Sequence, residues 1–396
     1  MNLMNKHSIL IAFFAALLLA GLSFLPVSAD DAQPTGSSEP YFGQVLCLPG
    51  AQLGAQSDCL ALGPSQVLTS LAKRGIEYPF KPLPATRPDP SLNNAGIYIA
   101  KINIPKDEQA KIFSSLEDAA SGANPSGYLE AGRNIYVSYI QQADVNGGHY
   151  LLLKDGGWVR ASPLAASASY FQGLLFHENP TTPFGWIVEP VITRSAPSYA
   201  APEDGRSLAR ENAVQIFDMV DDGTTKWYMV GLNEWVERRY IREFQFNPNP
   251  PQGVTNNRWI DVNLYEQTIG VYENGRLLFA TLIASGGDPY FTRPGLFQIY
   301  EKKPTENMSG AFEADRSDYY LFQDVPWTMY FDEARALHGA YWRANFGYPE
   351  THGCVNLSLG DANWLFHWAN EGDWVYVHDP SGLTPTDPSL YTAGGA

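Results

Sequence analysis

One stretch of this chain is written twice. VSYIQQADVNGGHYLLLKDGGWV, from Val137 to Val159, aligns without a gap to VQIFDMVDDGTTKWYMVGLNEWV, from Val214 to Val236. Val137 corresponds to Val214, Asp144 to Asp221 and Trp158 to Trp235. Each copy reads as a strand, a polar turn, an aromatic-led strand, a second turn and a Trp-Val strand. A related approach precedes each copy, IFSSLEDA from Ile112 and SYAAPEDG from Ser198. The ungapped register and the shared Trp-Val ending favour duplication over chance, and a period-2 pattern commits the middle of the chain to small β-modules.

Composition agrees. Aromatic residues make up 13 % of the 396, with 29 prolines and 35 glycines, which suits short strands joined by many turns. Twenty-six basic against 42 acidic side chains leave a net charge of −16, so the basic footprint of a nucleic-acid binder is missing. The three cysteines are too few for a disulfide scaffold or a four-cysteine zinc site.

The N-terminus predicts export. Lys6 precedes the apolar run Ile9–Leu25, and Val27, Ser28 and Ala29 form a small-residue cleavage site, so residues 1–29 read as a signal peptide. The alternative is an uncleaved membrane anchor, because the run lies at the short end of the roughly 17–25 residues that span a bilayer. Either reading places the rest outside the cytoplasm, in the cell wall or on the periplasmic side of the membrane. There Cys47 and Cys59 are close enough in sequence to close a local disulfide loop, which leaves Cys354 alone.

Residues 30–95 read as a polar leader, a short helix from Ser65 to Arg74 stopped by Gly75, and an extended Pro-rich connector. The two β-modules follow at 96–163 and 164–247. The linker NPNPPQGVTNN covers 247–257, and 256–380 form a further domain that opens with strands Trp259–Leu264, Thr268–Tyr272 and Leu277–Ala284. Residues 381–396 read as a flexible tail.

That last domain holds the chemistry. Cys354 stands between Gly353 and Val355, with His352 two residues upstream and His338 further back. A thiol attacks as thiolate, and a histidine within reach can take its proton and return it to a leaving amine. Gly353 clears bulk beside the sulfur, so a substrate carbonyl can approach backbone N–H groups. Ser358 and Asp361 form a capping box for a helix carrying Ala362, Leu365, Phe366 and Ala369, ended by Gly372. His367 is read as a packing residue, and His149, His177 and His378 receive no role. Tyr341, Trp342, Phe346 and Tyr348 either line a groove or pack a loop. His352 with Cys354 is too few ligands for zinc.

His338 followed by Thr351-His352-Gly353-Cys354-Val355-Asn356 resembles the signature of L,D-transpeptidases with a YkuD-type catalytic domain. The NGRLLFATLIASGG hairpin and the Gly286, Gly287, Thr292, Pro294, Gly295 pattern resemble the same family, over about Trp259 to Asp379. Twelve residues separate His338 from Thr351, fewer than in many members, which alters the loop between them. The resemblance implies a mainly β protein, with a YkuD-like β-sandwich or barrel bearing one or two helices. The repeats ahead of it resemble small bacterial SH3-like β-barrels. It implies Cys354 as nucleophile and His338 as proton donor and acceptor, with the Gly339 carbonyl orienting the imidazole. His352, Asn356 and Thr351 would shape the pocket, and the N–H groups of Gly353 and Cys354 would form the oxyanion hole. The reaction implied is a 3→3 peptidoglycan cross-link, in which a stem tetrapeptide loses D-alanine to give a thioester that a second stem's amine attacks. The alternatives are an L,D-carboxypeptidase with water as acceptor and a non-catalytic wall-binding protein. The implied partner is the peptidoglycan stem peptide, and no cofactor or metal is implied.

Overall fold

The computed structural model describes residues 71–391, apart from 104, 106, 107, 133 and 163–169. The signal segment, the Cys47–Cys59 pair and most of the Ser65–Arg74 helix lie outside the described residues. The helical end at 71–73 is followed by Gly75 at φ +77°, the left-handed stop that glycine adopts at little cost.

The two repeats fold in one register. In the first, β1 (Asn134–Val145), β2 (Gly148–Leu153) and β3 (Trp158–Ala161) form a meander in which Asp144 faces His149 and Leu151 faces Val159. In the second, β4 (Asp218–Asp221), β5 (Lys226–Gly231) and β6 (Glu234–Glu237) pair Asp221 with Lys226 and Tyr228 with Val236, the same positions of the repeat. The helix α1 (Leu116–Ser121), capped by the Ser115 hydroxyl, completes the first copy. Arg194 to Gly205 is the corresponding approach in the second, where Arg194 bridges Trp235 as Phe113 bridges Trp158.

The C-terminal region builds on a seven-stranded sheet centred on β7 (Arg258–Asn263), β8 (Thr268–Glu273) and β9 (Arg276–Leu282). The β8–β9 turn places Asn274 at φ +51° and Gly275 at +74°, the left-handed pair that a two-residue hairpin requires. Next come β10 (Gly295–Gln298), β11 (Glu301–Gly310), β12 (Tyr320–Asp332), β13 (Arg335–Gly339) and β14 (Val355–Leu357), then α2 (Leu359–Trp368) and β15 (Trp374–His378). Strands β10 and β15 join the seven-stranded sheet, while β11 to β14 belong to a second, ten-stranded one.

Both faces of the seven-stranded sheet are covered, which explains why β7 to β9 are buried almost throughout. Ile260, Val262, Ile269, Val271 and Phe279 meet Ala362 and Leu365 of α2 and Ala369 just beyond its end, together with Met329, Phe331, Leu337 and Val355 of the other sheet. Trp259, Tyr272, Leu277 and Leu282 point the other way, onto Phe184, Trp186, Val188 and Phe244 of the second module. Trp259 stacks on Tyr272 at 4.7 Å and Phe184 on Phe244 at 4.9 Å. Each large apolar side chain fully buried there contributes about 1.5–3 kcal/mol, against at most about 1 kcal/mol for an exposed ion pair. Aromatic burial therefore fixes the second module to the seven-stranded sheet.

Several sequence expectations need correction. Ala85–Thr86, placed in the Pro-rich connector, and Leu174–Phe176, placed in the second module, both extend the seven-stranded sheet beyond β9. A short apolar run does not specify its partner strand. The prolines of the connector also admit a 3₁₀ turn, Pro90–Asn93, whose Asn93 side chain accepts from the Gly360 N–H at 3.1 Å. The helix α2 stops at Trp368, before Gly372, because Ala369 already leaves the helical conformation. The tail runs exposed over most of 381–390 but is anchored at Tyr391, which is buried and whose carbonyl accepts from Arg335 Nη2 at 2.9 Å.

Asp361 departs from simple capping. Its N–H is held by Ser358 Oγ at 3.3 Å, but its carboxylate accepts from the Gly173 N–H at 2.9 Å and from Thr281 Oγ1 at 2.5 Å. Burial pushes this carboxyl up to about 7, and the hydrogen bonds only partly oppose that.

Candidate functional site

Strand alternation assembles the site. In β13 and β14, Leu337, Val355 and Leu357 point into the core, so His338, Cys354 and Asn356 share the opposite face. The parallel register sets His338 beside Asn356. The Ala336 N–H points at Cys354 Sγ at 3.4 Å. Cys354, His338, His352, Thr351 and Asn356 line one cavity of about 160 Å³, with Trp342, Tyr320, Phe322, Asp318, Arg343, Glu350, Met308 and Asn134. That is the size of a cavity that holds one benzene ring, so one residue-sized group fits inside and the rest of a peptide crosses the rim.

Gly339 and Gly353 act through their backbones. The Gly339 carbonyl lies 3.2 Å from His338 Nδ1, and a proton held there leaves Nε2 free as the base. The Gly353 N–H donates to Thr351 Oγ1 at 3.2 Å, so an oxyanion role requires it to exchange that partner for substrate oxygen. Thr351 Oγ1 itself donates to the Cys354 carbonyl at 2.6 Å, which ties the turn together.

The turn is backed by the Gly286–Thr292 segment. Thr292 Oγ1 accepts from the Gly286 N–H and donates to the Gly353 carbonyl, both at 2.8 Å. A Cβ on Gly286 would lie 2.2 Å from the Tyr290 carbonyl oxygen and 2.8 Å from Gly353 Cα. A side chain there would push the nucleophile's turn away, so glycine is required.

The electrostatics favour a neutral pair at rest. Burial pushes the Cys354 thiol up to about 11, with the Ala336 N–H and the Arg335 charge only partly opposing it. Burial also takes His338 down to about 4; the Gly339 carbonyl works against the shift and Arg343 adds to it. At pH 7 the thiolate fraction is then about one in ten thousand. Alkylation of the resting protein by iodoacetamide should therefore accelerate about tenfold per pH unit from 7 to 10. A plateau below pH 7, measured by intact mass, would instead mean a preformed thiolate–imidazolium pair.

His352 sits among aromatic rings. Phe312 stacks on it at 4.3 Å and 17°, Tyr290 lies at 5.0 Å and Tyr320 at 6.0 Å. Burial lowers its pKa, and Asp318 works in the opposite direction. Burial raises Asp318 as well, but the N–H groups of Phe312 and Glu313 outweigh this and hold its carboxyl below the usual value.

The four aromatics of the 340–350 loop divide. Trp342 lines the cavity, Tyr341 and Phe346 are buried, and the Tyr348 hydroxyl reaches Glu189 Oε1 at 2.9 Å. Arg242 Nε of the second module donates to the Gly347 carbonyl at 2.9 Å, pinning this loop. His367 Nδ1 lies 2.8 Å from the Asn363 carbonyl, one turn back on α2 and away from the cavity lining. Asn134, Asp318, Tyr320 and Phe322 were not picked out by sequence, because they lie outside the motif and carry no local signature, and Arg343 and Glu350, in the loop between His338 and Thr351, carry no signature of their own.

Residues 257–377 match the family model described as the L,D-transpeptidase catalytic domain, YkuD. This region is an L,D-transpeptidase catalytic domain. Among solved structures, the domain's neighbours include an L,D-transpeptidase from Stackebrandtia nassauensis, 26 % identical over 34 % of this chain and 60 % of that one, TM-score 0.27. The Enterococcus faecium L,D-transpeptidase C442S mutant is 23 % identical over 31 % and 50 %, TM-score 0.29. An L,D-transpeptidase from Mycobacterium smegmatis is 18 % identical over 55 % and 96 %, TM-score 0.30. The chain spans about half to three-fifths of the first three solved structures it matches, 49 %, 60 % and 50 % of their lengths. No curated protein matches it.

Proposed function

We propose that the protein is an exported peptidoglycan L,D-transpeptidase that forms 3→3 cross-links. The observation that carries this reading is the convergence of Cys354, His338 and Asn356 on one cavity inside the L,D-transpeptidase catalytic domain. Cys354 Sγ attacks the carbonyl of the third stem residue, and His338 Nε2 takes the thiol proton. The C–N bond to D-alanine breaks, His338 returns the proton to the departing amine, and a thioester remains. The side-chain amine of a second stem then attacks the thioester. His338 takes the amine proton and gives it back to the released Cys354 thiolate. Because both groups are neutral at rest, proton transfer accompanies attack rather than preceding it.

The two repeats, in this reading, are SH3-like modules that place the enzyme on the wall. Incubation of the full chain with purified tetrapeptide muropeptides tests the assignment. Cross-linked dimers and free D-alanine are expected. Tripeptide without dimer would mean an L,D-carboxypeptidase, and no Cys354-dependent product would sink both.

A further inference from the structure

We infer that the first β-module is part of the active site. Asn134 contacts the stem peptide at the cavity rim, and Glu130, through Arg316, positions the 311–319 loop that carries Phe312 onto His352. This inference rests on the transpeptidase reading and extends it to the other side of the cleft.

The first module does not hang from the catalytic domain by a tether. Its β1 pairs in parallel with β12, Asn134 with Tyr320, Ile135 with Leu321 and Tyr136 with Phe322. Tyr320 and Phe322 line the cavity that holds Cys354, and so does Asn134, at the start of the ladder. Further along, the Ser138 N–H donates to Gln323 Oε1 at 2.8 Å and Lys154 Nζ reaches both Asp324 carboxylate oxygens at 2.8 Å. A Cβ on Gly132 would lie 2.3 Å from the Tyr319 carbonyl oxygen, so the module's backbone is in contact with the loop itself.

The loop has two anchors. At its base Asp318 accepts from Phe312 and Glu313, and at its tip Arg316 makes a two-point pair with Glu130, Nε to Oε1 at 2.6 Å and Nη2 to Oε2 at 3.0 Å. The same loop supplies Phe312, stacked on His352, which adjoins Gly353 and Cys354. Displacing the tip therefore disturbs the rim of the cavity without touching the nucleophile or base. At that rim the Asn134 carboxamide, which both donates and accepts, suits the backbone of an extended peptide.

Acylation of Cys354 by a tetrapeptide muropeptide, followed by intact mass across substrate concentrations, tests both roles. Asn134→Ala should raise the half-saturating concentration about tenfold, the worth of one hydrogen bond, with the maximal rate little changed. Glu130→Arg and Arg316→Glu should each raise it about fivefold, and the charge-swapped double variant should restore it. A general loss of folding would lower melting temperature and would not be rescued by the swap. Unchanged half-saturation in Asn134→Ala and in both reversals, with the unsubstituted protein acylating normally, would overturn the inference. Absence of acylation in the unsubstituted protein would overturn the transpeptidase reading, and this inference with it.

Discussion

Cys354→Ala should abolish thioester formation and turnover while the protein stays folded. The thiol is buried, and its contacts are weak: the Ala336 N–H at 3.4 Å and the Ala334 carbonyl at 3.7 Å. Losing one buried sulfur beside an existing cavity costs on the order of 1 kcal/mol. That is a small part of a typical domain stability of roughly 5–15 kcal/mol. A complete loss of activity would therefore report chemistry and not unfolding. Intact mass after exposure to tetrapeptide, alongside a thermal melt, checks it; an adduct retained by the alanine variant would refute the nucleophile.

The next largest effect is expected at His338. His338→Gln should slow acylation by roughly 10²–10⁴-fold, the usual worth of a positioned general base. The same variant should keep the iodoacetamide profile of the resting thiol, because burial and not the imidazole sets that thiol's titration. The two readouts separate a lost base from a collapsed pocket. Acid sharpens the test. The imidazole is depressed to about 4, so it stays an unprotonated base down to that pH and is lost below it. Acylation by the unsubstituted protein should hold from neutrality to about pH 5 and fall below 4, whereas the glutamine variant should lack that acid limb. A glutamine variant within about tenfold of the parent would mean that another group moves the proton.

The parts legible in sequence are those encoded by neighbours. The repeat could be read because Asp144 and His149, or Asp221 and Lys226, pair across a short turn. The β8–β9 hairpin could be read because Asn274 and Gly275 accept left-handed backbone. The motif placed Cys354, His352, Thr351 and Asn356 because they are nearly contiguous. Illegible were the pairings made across long loops. Nothing in Asn134–Tyr136 says that it will run parallel to Tyr320–Phe322, and nothing in Leu174–Phe176 points to β9. The cavity's outer wall depends on those pairings, so Asn134 and Asp318 emerge only from three-dimensional structure. Tyr391 escaped for another reason: a single aromatic in a Pro- and Thr-rich tail has no periodicity to reveal the site that buries it.

The two borrowed strands, Ala85–Thr86 and Leu174–Phe176, carry a consequence for how the molecule comes into being. The catalytic sheet is closed by segments drawn from Ala85 to His378, so its topology is dominated by distant partners. Loop closure over such separations makes folding slow and leaves sheet edges unpaired in the meantime. A chain made from its N-terminus holds Ala85–Thr86 and Leu174–Phe176 long before β9 arrives to pair with them. The nucleophile comes later still, so the thiol meets its pocket only when nearly all of these segments have been made. Completion of the sheet and assembly of the reactive site are thereby joined in time.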